Sequence, residues 1–136
     1  MSRASLEAIA LDWMRFWQSA DLRRFDLVHA PDFVDHCPAG RPGNREGIRH
    51  GIEALYRAFP DFTATVEFMA IDEARSLVTI RWSAVGHMRG GFLGARPAGQ
   101  CVSFHGIEII AIRGGLVSER WGEWDEGAIR AQLGLP

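Results

Sequence analysis

The spacing of apolar residues changes halfway along this chain, and that change most restricts the fold. In the first half, Leu6, Ile9, Trp13, Phe16, Trp17 and Ala20 recur at helical intervals, with Glu7, Asp12 and Arg15 off the stripe. Ser2 or Ser5 is placed to cap this helix. A shorter helix is predicted over 21–28, stopping before Pro31, because proline disfavours helix in the residue ahead of it. Residues 33–36 read as a short extended piece and 37–43 as a proline- and glycine-rich loop. Asn44 then caps a helix with Ile48, Ile52, Leu55 and Phe59 on one side, ended by Pro60. From residue 63 the period falls to two. Strands are predicted over 63–71, 77–87, 100–113 and 116–124. A glycine-rich loop spans 88–99, and Gly114-Gly115 makes the last hairpin turn, where both positions need φ > 0. A terminal helix over 126–133 stops at Gly134. Helices first and strands afterwards give an α+β fold rather than alternating βαβ units. Helices closing over a curved antiparallel sheet enclose one apolar pocket with a few ionisable side chains inside.

Size and charge narrow the function. A chain of 136 residues, 47% of them apolar, fits a single domain over 1–136 with a sizeable core. A net charge of −2, with basic residues mostly single or paired, gives no attraction to nucleic acid or to an anionic membrane. Met1 to Trp17 mixes apolar and charged residues, unlike a signal peptide or a membrane span. Cys37 and Cys101 lack CxxC spacing, so a thiol-keeping cytoplasm is the expected setting. From Ile107 to Ile112 both strand faces are apolar apart from Glu108. One face packs under the helices; the other predicts a covering second subunit, a homodimer or higher homo-oligomer.

The sequence lacks the common catalytic motifs. The five histidines show neither HxxxH nor HExxH spacing, so no metal site is predicted. There is no GxSxG elbow, P-loop or dinucleotide fingerprint, and neither cysteine sits in a nucleophile motif. The last strand holds the chemistry that remains. Alternation puts Glu119, Trp121, Glu123 and Asp125 on one face. An acid beside an indole has its charged form disfavoured and becomes a better proton acceptor. Asp125 also immediately precedes a helix, where a cap would lower its pKa instead, and residue type leaves both roles open. His105 lies mid-strand in an apolar run, as a core residue or a catalyst. His87 ends its strand beside the glycine-rich loop, and His36 lies in the loop after the extended piece. Trp13, Trp17, Trp82 and Trp121 are core residues, and five tryptophans in so short a chain favour a wide aromatic cavity.

Five segments together resemble the SnoaL-like polyketide cyclases (ester cyclases) of the nuclear transport factor two-like superfamily. They are Phe33-Val34-Asp35-His36; Ala58-Phe59-Pro60-Asp61-Phe62; Gly86-His87 through Gly94 into Arg96-Pro97-Ala98-Gly99; Glu119-x-Trp121-x-x-x-Asp125; and Gln132-Leu133-Gly134. The third departs from the family's usual Pro-Thr-Gly at Pro97-Ala98-Gly99. The resemblance implies a cone-shaped fold, often oligomeric, and cofactor-free chemistry on a hydrophobic, aromatic polyketide ester. It implies that Asp125 is the general base for an intramolecular aldol condensation. Histidines near the cavity would then stabilise the developing oxyanion: His105 and His36, then His87. Trp13, Trp17, Trp82, Trp121, Glu119 and Arg81 complete the expected substrate-binding set.

Other readings stand beside this one. A ketosteroid isomerase-like enzyme would use the same pocket. An epoxide hydrolase-like enzyme needs an arginine between two carboxylates to activate water, for which Arg81 and Asp125 are the candidates. A non-catalytic small-molecule-binding domain predicts that Asp125 simply caps the last helix.

Overall fold

The computed structural model describes residues 1–136. In chain order its elements are α1 (Arg3–Ser19), α2 (Phe25–Val28), β1 (His29–Asp35), α3 (Arg45–Ala58), β2 (Thr63–Asp72), β3 (Leu77–His87), β4 (Cys101–Arg113), β5 (Leu116–Trp124) and α4 (Glu126–Gln132). The caps fall where short polar residues were read. Ser2 Oγ accepts from Ser5 N at 3.1 Å, and Asn44 Oδ1 accepts from Gly47 N at 3.0 Å. Gly114 and Gly115 turn the last hairpin at φ of 59° and 79°.

The strands form one sheet in the order β1-β5-β4-β3-β2. β2 to β5 are antiparallel, as expected, but the short extended piece read at 33–36 is the end of a longer strand, β1, that joins β5 in parallel, so the sheet is mixed. Pro31 lies within that strand. A proline is tolerated on an edge strand, and the register of β1 against β5 shifts across the stretch that contains it, between His29 and Val34. The second helix is also shorter than predicted. Asp21 accepts from Arg23 N and pairs with its guanidinium, a local turn that competes with helix ahead of Phe25.

Alternation assigns the two faces of the sheet. Val78, Ile80 and Trp82 of β3 and Phe104 and Ile110 of β4 point inward, packing with Leu6 and Trp13 of α1 and Ile48 and Ile52 of α3. The opposite face carries Phe68, Val85 and Ile107, which are 62%, 42% and 46% exposed. The result is an α+β cone whose hollow lies between the inward face and the helices. No helix is long and apolar enough to cross a membrane.

One polar residue is sealed into the helical side of the core. His29 is fully buried against the rings of Phe25 and Phe33. Trp13 Nε1 donates to its Nε2 at 3.0 Å, so Nδ1 carries the proton and donates to the Phe25 carbonyl at 2.9 Å. Burial pushes this imidazole down from 6.5 to about 4. The unfolded chain therefore binds the extra proton first. Stability is fully present above pH 6.5 and declines as pH falls toward about 4, by roughly 3 kcal/mol from this group. Urea unfolding followed through that window should show the decline; a flat profile there would mean that His29 is not the neutral core residue described.

Candidate functional site

The pairing of β1, β5 and β4 brings three charged side chains together inside the cone. Asp35 and Arg120 are register partners between β1 and β5. Glu108 lies on β4 opposite Gly122, two residues beyond Arg120 on the same inward face. Arg120 Nε and Nη2 each donate to one Glu108 oxygen, both at 3.1 Å. Its Nη1 donates to both Asp35 oxygens at 3.1 and 3.0 Å and to the Cys37 carbonyl at 3.3 Å. This is an arginine between two carboxylates, with every nitrogen engaged. Cys37 N also donates to Asp35 Oδ1 at 3.0 Å, tying the loop after β1 to the same cluster. Gly122 makes the arrangement fit, since a Cβ there would land on Glu108 Oε2 and the Arg120 guanidinium.

These side chains border a cavity of about 650 Å³. Its walls are mostly apolar, with Trp17, Leu55, Phe62, Trp82 and Trp124 among them; Glu108, Arg120, Arg41, Glu123 and Glu126 supply the charge, the last two from the side where β5 runs into α4. The glycine-rich loop closes one side. Arg89 N and Gly90 N donate to the Ala58 carbonyl, and Phe92 packs edge-on against Phe59 and Phe104. Asp35 is fully buried behind the cluster, whereas Glu108 and Arg120 reach the cavity. Burial is the largest influence on Glu108 and raises its pKa; Arg120 opposes that and Asp35 adds to it. Burial alone would lower Arg120, but Glu108 and Asp35 hold it above its ordinary value. Arg41 is lowered by burial and then by Arg120. The Trp17 and Trp82 indole N–H groups are buried without acceptors.

The expected site residues divide between the two faces. His36, Trp17 and Trp82 line the cavity. Trp13 is sealed in the core, donating to His29. Glu119, Trp121, Glu123 and Asp125 do share a face, but it is the outer one, because Arg120, Gly122 and Trp124 take the inward positions. Asp125 is exposed and caps α4, Oδ1 accepting from Ala128 N at 3.0 Å. It shares a shallow outer hollow of about 310 Å³ with His105 and Arg81. Arg81 donates to Glu67 of β2 at 3.4 Å and does not line the cavity, so it bridges no carboxylates inside it. Glu119 and Trp121 meet His36 at the rim. His36 Nε2 lies 3.0 Å from Glu119 Oε1, and its ring stacks on Trp121 at 4.6 Å. His87 lies outside the cavity lining, 2.6 Å from Asp61 at the end of β3.

Asp35, Glu108, Arg120 and Arg41 were not among the expected site residues. Their sequence signals were Glu108, the single charge in the apolar run from Ile107 to Ile112, and Asp35, which sits in the segment Phe33-Val34-Asp35-His36.

The family model for SnoaL-like polyketide cyclases matches residues 7–133. The chain belongs to that family. Among solved structures, IdmH from Streptomyces antibioticus, described as a proposed polyketide cyclase, is similar at 29% identity and a TM-score of 0.81. That match covers 96% of this chain and 99% of IdmH. AclR from Streptomyces galilaeus, described as a proposed hydroxylase, is 27% identical with a TM-score of 0.84, over 99% of this chain and 89% of AclR. TsrD from Streptomyces laurentii, 24% identical over 100% of this chain and 99% of its own, shares the fold at a TM-score of 0.87. No curated protein matches the sequence.

For this SnoaL-like protein, the cluster's dependence on an absent side chain is directly measurable. Gly122→Ala should lose at least about 2 kcal/mol in chemical unfolding, because overpacking and a displaced buried ion pair act together. A loss of only a few tenths would mean that the Glu108–Arg120 pair is not seated as described.

Proposed function

We propose that the protein is a cofactor-free acid–base enzyme that closes a ring on a hydrophobic, polyketide-type carbonyl compound, with Glu108 carrying the proton. The observation that supports it is a carboxyl raised by burial and held by Arg120 at the wall of an apolar cavity. Glu108 takes the acidic proton beside a substrate carbonyl, and the C–H electron pair becomes an enolate. The enolate carbon attacks a second carbonyl of the same molecule, and the proton on Glu108 passes to the new alkoxide. A base so placed contributes roughly two to four orders of magnitude, and a cavity that folds the substrate supplies more. Asp35 and Arg120 position the base. All fifteen basic residues are arginine, so this chain has no lysine amine for an imine route to the same bond.

In this reading the role that the family resemblance gave to Asp125 passes to Glu108, since Asp125 caps a helix on the outer face. His36, at the rim, keeps its place as a substrate contact. A second subunit remains our proposal for what covers the exposed Phe68, Val85 and Ile107.

A second reading has its own observation. An arginine between two carboxylates is the set that water activation wants, with Arg120 in the part considered for Arg81. It predicts that labelled oxygen from water enters the product, which ring closure does not require. The binding-domain reading is consistent with the Asp125 cap, and it predicts no proton transfer at all.

Exchange of the acidic CH₂ protons of β-tetralone, an aromatic ketone, in heavy water separates these readings. Wild-type protein should accelerate exchange, and Glu108→Gln should lose at least about a hundredfold of that acceleration. Asp125→Asn should keep it, while Asp125→Ala lowers stability by about 0.5–2 kcal/mol. Full exchange in Glu108→Gln, or its loss in Asp125→Asn, would overturn the assignment.

A further inference from the structure

We propose that Arg41 is the oxyanion-binding group of the cavity, holding the enolate oxygen that forms when a substrate carbonyl loses its neighbouring proton. This rests on the Glu108 reading for its mechanistic meaning, although the anion site can be measured without turnover.

The two arginines at the cavity are used in opposite ways. Arg120 has every nitrogen occupied by Glu108, Asp35 and the Cys37 carbonyl. A guanidinium carries five N–H donors, yet Arg41 reaches a single protein acceptor, Asp35 Oδ2, at a long 3.4 Å. Its Nε is buried with no partner. Arg41 lines the cavity, and its side chain is 26% exposed there. It is a cation held at the apolar hollow with its donors largely unspent: Nε is sealed, but the terminal Nη1, lying against Gly51 at the cavity wall, has no protein acceptor and is open to a ligand oxygen.

Gly51 is a second, independent observation. It lies inside α3, where a glycine is less favourable than alanine, and it also lines the cavity. A Cβ at Gly51 would stand 2.5 Å from Arg41 Nη1 and 3.0 Å from Cζ. The helix lacks a side chain where the guanidinium rests against it.

Charge balance gives the cation its task. Within the cluster, Asp35 and Glu108 offset Arg120 and Arg41 while both acids are ionised; Glu123 and Glu126 also border the cavity but make no ion pair with either arginine. When Glu108 takes the substrate proton it becomes neutral, and the electron pair of the broken C–H bond leaves one negative charge on the substrate oxygen. The cavity's total charge is unchanged, but the cluster now has one cation in excess. Arg120 remains bound by Asp35, and Arg41 is the cation with free donors.

Calorimetric titration with dimedone and isophorone tests this. The two are similar substituted six-membered ring carbonyls, but dimedone is an enolate at neutral pH and isophorone is uncharged. Wild-type protein should bind dimedone at least about tenfold more tightly, as expected for a charge-assisted hydrogen bond. Arg41→Gln should abolish the preference. Gly51→Ala keeps the arginine but displaces its head, and should also weaken the preference, which covers the case of a poorly folded Arg41 variant. Glu108→Gln, neutral like the protonated acid, should bind dimedone more tightly than wild type while losing β-tetralone exchange. Equal binding of the two probes by wild type, or a preference that survives in both Arg41→Gln and Gly51→Ala, overturns the proposal and leaves the exchange result standing. Conversely, undiminished exchange in Glu108→Gln removes the proton carrier without touching an observed anion preference.

Discussion

The site depends on one guanidinium. Arg120 holds Glu108 through two parallel hydrogen bonds and Asp35 through two more, joining β4, β5 and the end of β1 where the cone is hollow. Two buried acids this close would repel each other and draw water in. With the arginine between them they can remain in a space walled by indoles. Such clusters are weak evidence for stability, because desolvating the charges offsets much of their attraction. The apolar packing of α1 and α3 on the sheet already supplies a core. A buried charge cluster that the core does not need, opening on a cavity, points toward chemistry.

Geometry divides the labour within the cluster. Asp35 is out of reach of any ligand and orients Arg120; Arg120 is saturated and orients Glu108. Glu108 borders the cavity and is raised by burial, and Arg41 has unused donors. Gly122 and Gly51 each omit a side chain where one of these groups must lie. A chemical group and the space reserved for it therefore appear on neighbouring strands or on a facing helix.

Much of the fold was legible in the sequence because its signals are local. Helical spacing, the caps at Ser2 and Asn44, the Gly114-Gly115 turn and the strand boundaries were read close to where they lie. β1 was legible only as the extended piece at 33–36; its pairing was not, because its partner lies more than eighty positions later in the chain. The inward face of β5 was not legible, for a sharper reason. In β5 the alternation was correctly grouped, but a strand does not announce which of its faces is buried, and a choice wrong by one residue exchanges the whole set. Glu119, Trp121 and Asp125 went outward and Arg120, Gly122 and Trp124 inward. The tryptophan beside the acid suggested a dry pocket; it is instead the outer stacking partner of His36. Glu108 gave the better clue, a lone charge in an apolar strand, since such a charge must be paired.

The proposed proton carrier is a glutamate whose carboxyl burial raises above its ordinary value, and its titration is the direct measure. Carbon-13 labelling of the glutamate carboxyl groups, with Glu108→Gln to assign the resonance, follows that single group by NMR as pH changes. The account predicts that Glu108 titrates above the ordinary glutamate value of 4.5. A Glu108 carboxyl that titrates at or below that value would show Arg120 outweighing burial and holding a permanent carboxylate. That result would contradict the account.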